Sequence, residues 1–568
     1  MSTPPSMTVV ALCALFLSAC ASPGPRNASD EATVGRPTQA RTLRIAIRVE
    51  PTTIASKSPG LGSGVTLGTV KRIFDADLIL KDSNGMVVPY LAESLPQLNT
   101  DSWKVFPDGR METTYRLKPN LVWHDGTPLS TLDFVFSWRA YSLPELGVSR
   151  EAPLGLFEDV SAPDERTIVI KWQKPYADAG IISTGLPPLP RHVLEAPLRD
   201  GTADAFAAHP YWTREFIGLG PFRLTAWEPG AFIEGAAFEQ HIWGRPRIDR
   251  LHMIFISDPN TALANILAGE LDLAADTAIQ FQGGVTLKQQ WGPSGGSILF
   301  APTLFRQAAF QLRPELANPP AILDVRVRKA LAHAANKQEL NDLLFDGEGL
   351  MADTTPIPPG PAYYREMEQG IERFPYDVRR TQQLMTEAGY RLAPDGLFAG
   401  PDGKLTLDVK TNATVEQERE MTVLAAGWRK AGFDFRETVN PAALAQDNEA
   451  RATFPGLFAS SGGFGETTLA GFSSDRIPNV TNRWQGGNRG GWTNTEFDRL
   501  SEQFTTSLDR AARDRLVLGM ARLYAADLPT IALHFPPTVM AAVAALTGPM
   551  PYTADGTFSF NIHEWQFK

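Results

Sequence analysis

Cysteine is nearly missing from this 568-residue chain, which has two, Cys13 and Cys20. Both fall within the first twenty residues. Everything beyond them is therefore without an internal disulfide or a thiolate-based zinc or iron–sulfur site. Lys and Arg are absent from Met1–Val10, where an exported leader ordinarily carries positive charge. Basic residues are also the minority overall, 53 against 63 acidic, for a formal net charge of -10. That balance disfavours nucleic acid and anionic lipid surfaces as partners. After the run Val9–Ala19, no stretch is long and apolar enough to span a bilayer. The eight histidines are scattered, with no His-x-x-x-His or His–carboxylate spacing, so the expectation is no metal and no cofactor. No nucleophile elbow, phosphate loop or HExxH motif occurs, so no catalytic residue is assigned.

What the chain does contain is ordinary globular material, 43% hydrophobic and 20% charged. Its length suits two to four domains stabilised by core burial. Val9–Ala19 has the apolarity of a signal-peptide core and is too short to cross a membrane. Leu17-Ser18-Ala19-Cys20 resembles a bacterial lipobox, which implies lipidation of Cys20 through its nucleophilic thiolate. Residues 1–20 then form a lipoprotein signal peptide, and 21–41, rich in Ser, Pro, Gly and Ala, a flexible tether. The competing reading of Cys20 is an ordinary buried cysteine in an apolar helix.

Order is expected from Thr42, where Leu43, Ile45 and Ile47 alternate with Arg44, Ala46 and Arg48 as in a strand. Trp123-His124-Asp125-Gly126-Thr127-Pro128 reads as a turn, and Ser130 and Asp133 open a helix. Val325–Phe345 has the clearest helical pattern, from Asp324 as cap to Gly347 beyond its end. Helices are also expected over Asn260–Ala268, Arg379–Ala388, Glu416–Lys430, Glu496–Ser507 and Arg510–Ala526. Strands are expected over Thr113–Leu117, Leu251–Ile256, Leu405–Val409 and Phe433–Thr438. The class is mixed α/β, without the regular period of a doubly wound domain.

A series of short motifs runs in order through most of the chain. It includes Pro89-Tyr90-Leu91-Ala92-Glu93-Ser94, Trp123-His124-Asp125-Gly126-Thr127-Pro128 with Asp133-Phe134-Val135-Phe136-Ser137-Trp138, and Gly218-Leu219-Gly220-Pro221-Phe222. Trp243-Gly244-Arg245-Pro246, Asp258-Pro259-Asn260-Thr261, Gly269-Glu270-Leu271-Asp272, Asp324–Leu331 and Glu387-Ala388-Gly389-Tyr390 extend it. In this series the chain resembles the family 5 extracellular solute-binding proteins of ABC importers, the peptide/nickel-binding group. The simplest role of each motif is scaffold: turns at Gly126, Gly220 and Gly269, and caps or local pairs at Asp133, Asp272 and Arg326.

The resemblance implies a type II periplasmic-binding-protein-like α/β fold, two lobes around a hinged cleft. Lobe I would be 42–305, with an inserted subdomain at about 90–209, and lobe II 306–507. Residues 508–568 would return to lobe I. It further implies a monomer outside the cytoplasm, lipid-anchored at Cys20, that captures a small molecule or peptide and delivers it to a membrane permease. Peptide-binding relatives carry a Trp and then an acidic anchor for the α-ammonium in lobe II. The corresponding stretch Leu457–Glu466 lacks that Trp and offers Ser460, Ser461, Phe464 and the downstream Glu466. In the loop Ser474–Asn494, Asn482, Arg483 and Trp484 combine amide, cation and aromatic face, a set suited to a carboxylate or a flat group. Tyr141, opening the segment Tyr141–Leu146, and the segment Ser58–Gly64 are the candidate edges on lobe I. Two other functions remain open at this point: a lipid-anchored envelope hydrolase with a carboxylate pair, and a ligand receptor that does not transport.

Overall fold

Leu43, Ile45, Ala46 and Ile47 are all buried along the strand Thr42–Ile47, which lies between two parallel neighbours, Arg250–Phe255 and Leu273–Ala274. Burial on both faces explains its nearly continuous apolar run. The computed structural model describes residues 41–568 except 60–64, 147–151, 183–184, 293–294, 442–443, 446 and 553–556. The leader, Cys20 and the tether up to residue 40 lie outside the described residues.

Two larger sheets organise the molecule. One has seven strands, in the spatial order Gly296–Pro302, Pro537–Val543, Leu273–Ala274, Thr42–Ile47, Arg250–Phe255, Phe232–Ala237 and Phe222–Glu228. The other has six: Leu350–Met351, Thr530–Phe535, Phe305–Phe310, Leu457–Gly462, Thr406–Asn412 and Asp434–Asn440. A four-stranded antiparallel sheet (Trp103–Val105, Met111–Arg116, Thr167–Trp172, Phe157–Ser161) lies inside the span expected for an insertion. Its buried Tyr115 and Trp172 share one apolar cluster with Leu43, Ile45 and Phe222 of the seven-stranded sheet. A second cluster, around Trp428, Leu407, Val409 and Leu331, belongs to the six-stranded sheet.

The chain passes from the first of these sheets to the second between Pro302 and Phe305, and back between Phe535 and Pro537. Pro302 and Pro537 oppose each other in register, and the Thr303 and Thr538 hydroxyls are 2.5 Å apart. Prolines fix φ on both passages, so the two connections form a stiff pair. The return to the first sheet was expected from residue 508. Instead the helix Arg510–Asp527 packs Val517, Met520 and Tyr524 on Leu469, Trp492 and Phe497, and Thr530–Phe535 pairs with Phe305–Phe310. The return in strand pairing therefore begins at Pro537.

Local chemistry explains most element ends. Asp133 Oδ2 accepts from the Ser130 N–H at 2.9 Å at the start of the helix Thr131–Tyr141. Val325–Phe345 is two helices rather than one, Val325–Ala334 and Lys337–Phe345. Ala335 takes an extended conformation and Asn336 caps the second helix by accepting from the Glu339 N–H. The apolar face continues across the break and conceals it. Gly218 and Gly220 meet helix Val65–Phe74 so closely that a Cβ would stand 2.1 Å from the Phe74 carbonyl oxygen and 2.4 Å from its carbonyl carbon, respectively. The Gly218–Phe222 motif is thus a packing requirement.

Candidate functional site at the facing sheet edges

Register places the site. Ile45 and Ala46 pair with Leu273 and Ala274, which pair with Ala542 and Ala541 of the returning strand. The carboxyl end of Thr42–Ile47 therefore lies at the edge from which both connections leave. On the six-stranded sheet Phe305 opposes Gly462, and Thr406–Asn412 runs parallel to Leu457–Gly462. The segments 460–466, 412–420 and 534–535 therefore share the edge where the connections arrive. Ligands of open α/β sheets sit outside carboxyl strand ends, and clefts between bodies are the usual binding places.

At that edge a buried ionic cluster joins three elements. Glu420, in the helix Val415–Ala431, accepts from Arg306 Nε at 3.0 Å and from Arg306 Nη2. His534 Nε2 donates to the same carboxylate at 2.7 Å, and Arg306 Nη1 donates to Ser461 Oγ at 3.1 Å. Arg306, Glu420 and His534 are each no more than 3% exposed. Burial alone would raise the Glu420 pKa, but Arg306 and His534 outweigh it and hold the carboxyl at about 2. Burial pushes His534 down, and its Nδ1 has no partner, as suits a neutral ring donating only from Nε2.

One turn earlier stands Glu416, whose Oε1 is buried and without a hydrogen-bond partner. Burial raises its pKa, against the charges of Arg48 and Arg306. Arg48 directly follows the strand Thr42–Ile47, so Glu416 faces the first sheet's edge across the gap. Gln307 Oε1 and Gln417 Oε1 are also buried acceptors without partners. Sequence reasoning missed Glu416, Arg306, Glu420 and His534, since a charged residue inside the apolar strand Phe305–Phe310 was the only signal available.

The residues singled out from sequence divide into two groups. Ser460 is buried opposite Gln307, Ser461 binds Arg306, and Phe464 packs edge-on against Phe535 at 5.4 Å, all at the crossing edge. Glu466 accepts from Tyr363 Oη at 2.8 Å and from Arg510 Nη1 at 3.1 Å. Its charge is already compensated, whereas Glu416 keeps a buried Oε1 without a hydrogen-bond partner. Asn482 is occupied in its own loop, accepting from the Asn479 N–H at 2.8 Å and donating to the Ile477 carbonyl at 2.9 Å. Arg483 and Trp484 follow it with φ of 52° and 59°, and Arg483 Nη2 donates to the Glu145 carbonyl at 3.1 Å. That bond ties the Ser474–Asn494 loop to the Tyr141–Leu146 segment, the two walls expected from sequence. Tyr141 is buried and donates from Oη to the Lys57 carbonyl at 2.7 Å. The Lys57 ammonium lies 5.2 Å from the Tyr141 ring centroid, and burial, then the charge of Lys71, pushes it down to about 8. Of Ser58–Gly64, only Ser58 and Pro59 are described residues.

Farther from the crossings, Lys174 meets Glu502 at 2.8 Å, Arg513 meets Asp178 at 2.9 Å, and the Ala177 N–H donates to the Thr505 carbonyl at 3.1 Å. These contacts link the segment after the four-stranded sheet to the helices Thr495–Thr506 and Arg510–Asp527.

Comparison with known proteins places the chain in a family. The oligopeptide-binding protein AppA of Bacillus subtilis is 22% identical over 560 residues, 95% of each chain. Among solved structures, an oligopeptide-binding protein from Thermus thermophilus complexed with a pentapeptide superposes with a TM-score of 0.78. It is 21% identical, and the match covers 93% of this chain and 96% of that one. NikZ from Campylobacter jejuni in complex with Ni(L-His) gives a TM-score of 0.77 at 21% identity, covering 92% of this chain and 99% of that one. At such identities the structures establish the fold. Residues 87–474, more than half of the chain, match the family described as bacterial extracellular solute-binding proteins, family 5 Middle. The chain therefore belongs to the family 5 extracellular solute-binding proteins and is a binding protein rather than an enzyme.

Proposed function

We propose that the protein captures a peptide between the two facing sheet edges and hands it to the permease of an ABC importer. The observation that carries this reading is the buried Glu416 Oε1, which has no hydrogen-bond partner, beside two proline-braced connections, at an edge shared with Ser461 and Phe464. Buried acceptors without donors suit a ligand rich in N–H groups, and Gln307 and Gln417 add two more. Peptide as the ligand class follows the names of the relatives, and Glu416 replaces Glu466 as its acidic contact. In this reading the lobes close over the ligand by as much as its differential contacts supply. Ser461, Phe464, Arg483 and Trp484 line the walls, with Ser460 and Tyr141 buried behind them.

The protein acts as a monomer outside the cytoplasm, held to the membrane through lipid on Cys20. Native mass spectrometry of the full chain, followed by calorimetric titration with a pool of tri- to pentapeptides, tests the assignment. One peptide per chain is expected, with unfolding stabilised by about 2.7 kcal/mol at a hundredfold excess over Kd. No bound peptide and no stabilisation by the pool would overturn it. Cys20→Ala should move the protein from the membrane to the soluble fraction, and unchanged fractionation would overturn the anchor.

A further inference from the structure

At the end of the six-stranded sheet away from the crossings, three arginines gather on segments tied to one another. Phe310 opposes Leu457 at this end. Five residue steps of strand separate it from Phe305 by roughly 17 Å. Gln311 Nε2 donates to the carbonyls of Ala452 at 3.0 Å and Phe454 at 2.8 Å, fixing the short helix Asn448–Ala452 that carries Arg451. The Leu312 N–H donates to the Gly490 carbonyl at 2.7 Å, which fixes the neighbouring Arg489. Arg313 Nη2 donates to the Arg489 carbonyl, while Arg313 Nε is buried without a partner.

The Arg451 and Arg489 guanidinium groups make no hydrogen bond or ion pair among the described residues, and Arg451 Nε is fully buried. Both residues are half-buried. Burial lowers the pKa of each, that of Arg489 to about 9, with the Arg451 charge pushing it further down. The nearby acids are engaged elsewhere. Asp447 caps the helix Asn448–Ala452 and supports Lys410, and Glu315 supports Arg313. Lys410 adds another cation, donating to the Ala450 carbonyl at 3.0 Å. Two close, desolvated, like charges without a counterion are unfavourable, and a guanidinium pair matches the oxygens of a tetrahedral anion bidentately.

We propose that Arg451 and Arg489 form a binding site for a free phosphate-class oxyanion, separate from the solute cleft and independent of the peptide reading. The full chain should bind inorganic phosphate once per molecule by calorimetry. Its Tm should rise by at least about 1 °C in phosphate relative to chloride at matched ionic strength. Arg451→Met and Arg489→Met should each weaken phosphate binding about tenfold or more. Each should also raise the Tm measured in chloride by relieving repulsion, whereas loss of a merely structural arginine lowers it. Absence of phosphate binding by the unmodified chain, or binding in both variants as tight as in the unmodified chain, would overturn the site. So would retention on phosphatidylglycerol vesicles combined with indifference to free phosphate, since the anion would then belong to a lipid.

Discussion

Arg306 and His534 are register partners on the two strands that adjoin the connections between the sheets, and both hold the single carboxylate of Glu420. The arrangement joins the outgoing and returning chain through the helix Val415–Ala431. A buried pair of this kind is weak evidence of net stabilisation, because desolvating both charges offsets their attraction. Breaking it is another matter. Glu420→Gln leaves Arg306 buried without a counter-charge and should cost about 3–5 kcal/mol in urea unfolding. A loss below about 1 kcal/mol would show that water enters the cluster.

Stability should fall as the solution is acidified from pH 7.5, first through histidines. His124 Nδ1 accepts from the Gly218 N–H at 3.2 Å and Nε2 meets the Gly220 carbonyl at 3.0 Å, so the neutral ring is the one these bonds fit. Burial lowers its pKa to about 4, and burial also lowers that of His534. The unfolded chain then binds protons that the native one refuses, starting near the free-histidine value of about 6.5. For His124 alone this amounts to about 2 kcal/mol by pH 5. Glu420 works in a lower window. Its native pKa of about 2 makes its contribution fully present above the ordinary carboxylate range and lost as pH falls towards 2. Denaturation midpoints measured at pH 7.5, 6, 5 and 3.5 should decline throughout, and His124→Gln should flatten the segment between 6.5 and 5.

Much of this architecture was legible beforehand, and the exceptions have physical reasons. Periodicity located Thr42–Ile47 and Thr131–Tyr141, because alternation and a Ser–Asp cap are local signals. It could not show that Arg510–Asp527 packs on the helices Glu466–Ala470 and Thr495–Thr506, since an apolar face does not specify its partner. Family likeness pointed to the neighbourhood of Ser461 and Phe464. The proposed site there also draws on Glu416 and Glu420, one turn apart on a helix, and on His534, 114 residues beyond Glu420. Glu466 looked suitable only because Tyr363 and Arg510, which occupy it, are equally remote in sequence.

The two carboxylates therefore separate cleanly by mutation. Glu466→Gln removes the charge that Arg510 and Tyr363 share and should cost about 1–2 kcal/mol, with peptide affinity unchanged. Glu416→Gln removes a desolvated charge without a hydrogen-bond partner at Oε1. It should leave stability within about 0.5 kcal/mol or raise it, while weakening peptide binding at least about tenfold. Urea titration and calorimetry on both variants check this, and the reverse pattern would return the anchoring role to Glu466.

Two glycines of the family motifs differ in what they can tolerate. Gly126 has φ +87° with open space where a Cβ would lie, so Gly126→Ala meets only left-handed backbone strain, about 1–2 kcal/mol. Gly220 would place its Cβ 2.4 Å from the Phe74 carbonyl carbon and 2.6 Å from the Asp75 nitrogen. Neither is a side chain able to swing away, and Phe74 is fully buried. Gly220→Ala must therefore displace the end of helix Val65–Phe74 and should cost about 3 kcal/mol, clearly more than Gly126→Ala. Asp75 at that helix end accepts from the Ser56 N–H at 3.0 Å and from Ser56 Oγ at 2.6 Å, so the shift carries into the segment leading to Lys57. Gly220→Ala should accordingly weaken peptide binding as well as lower Tm, whereas Gly126→Ala should lower Tm alone.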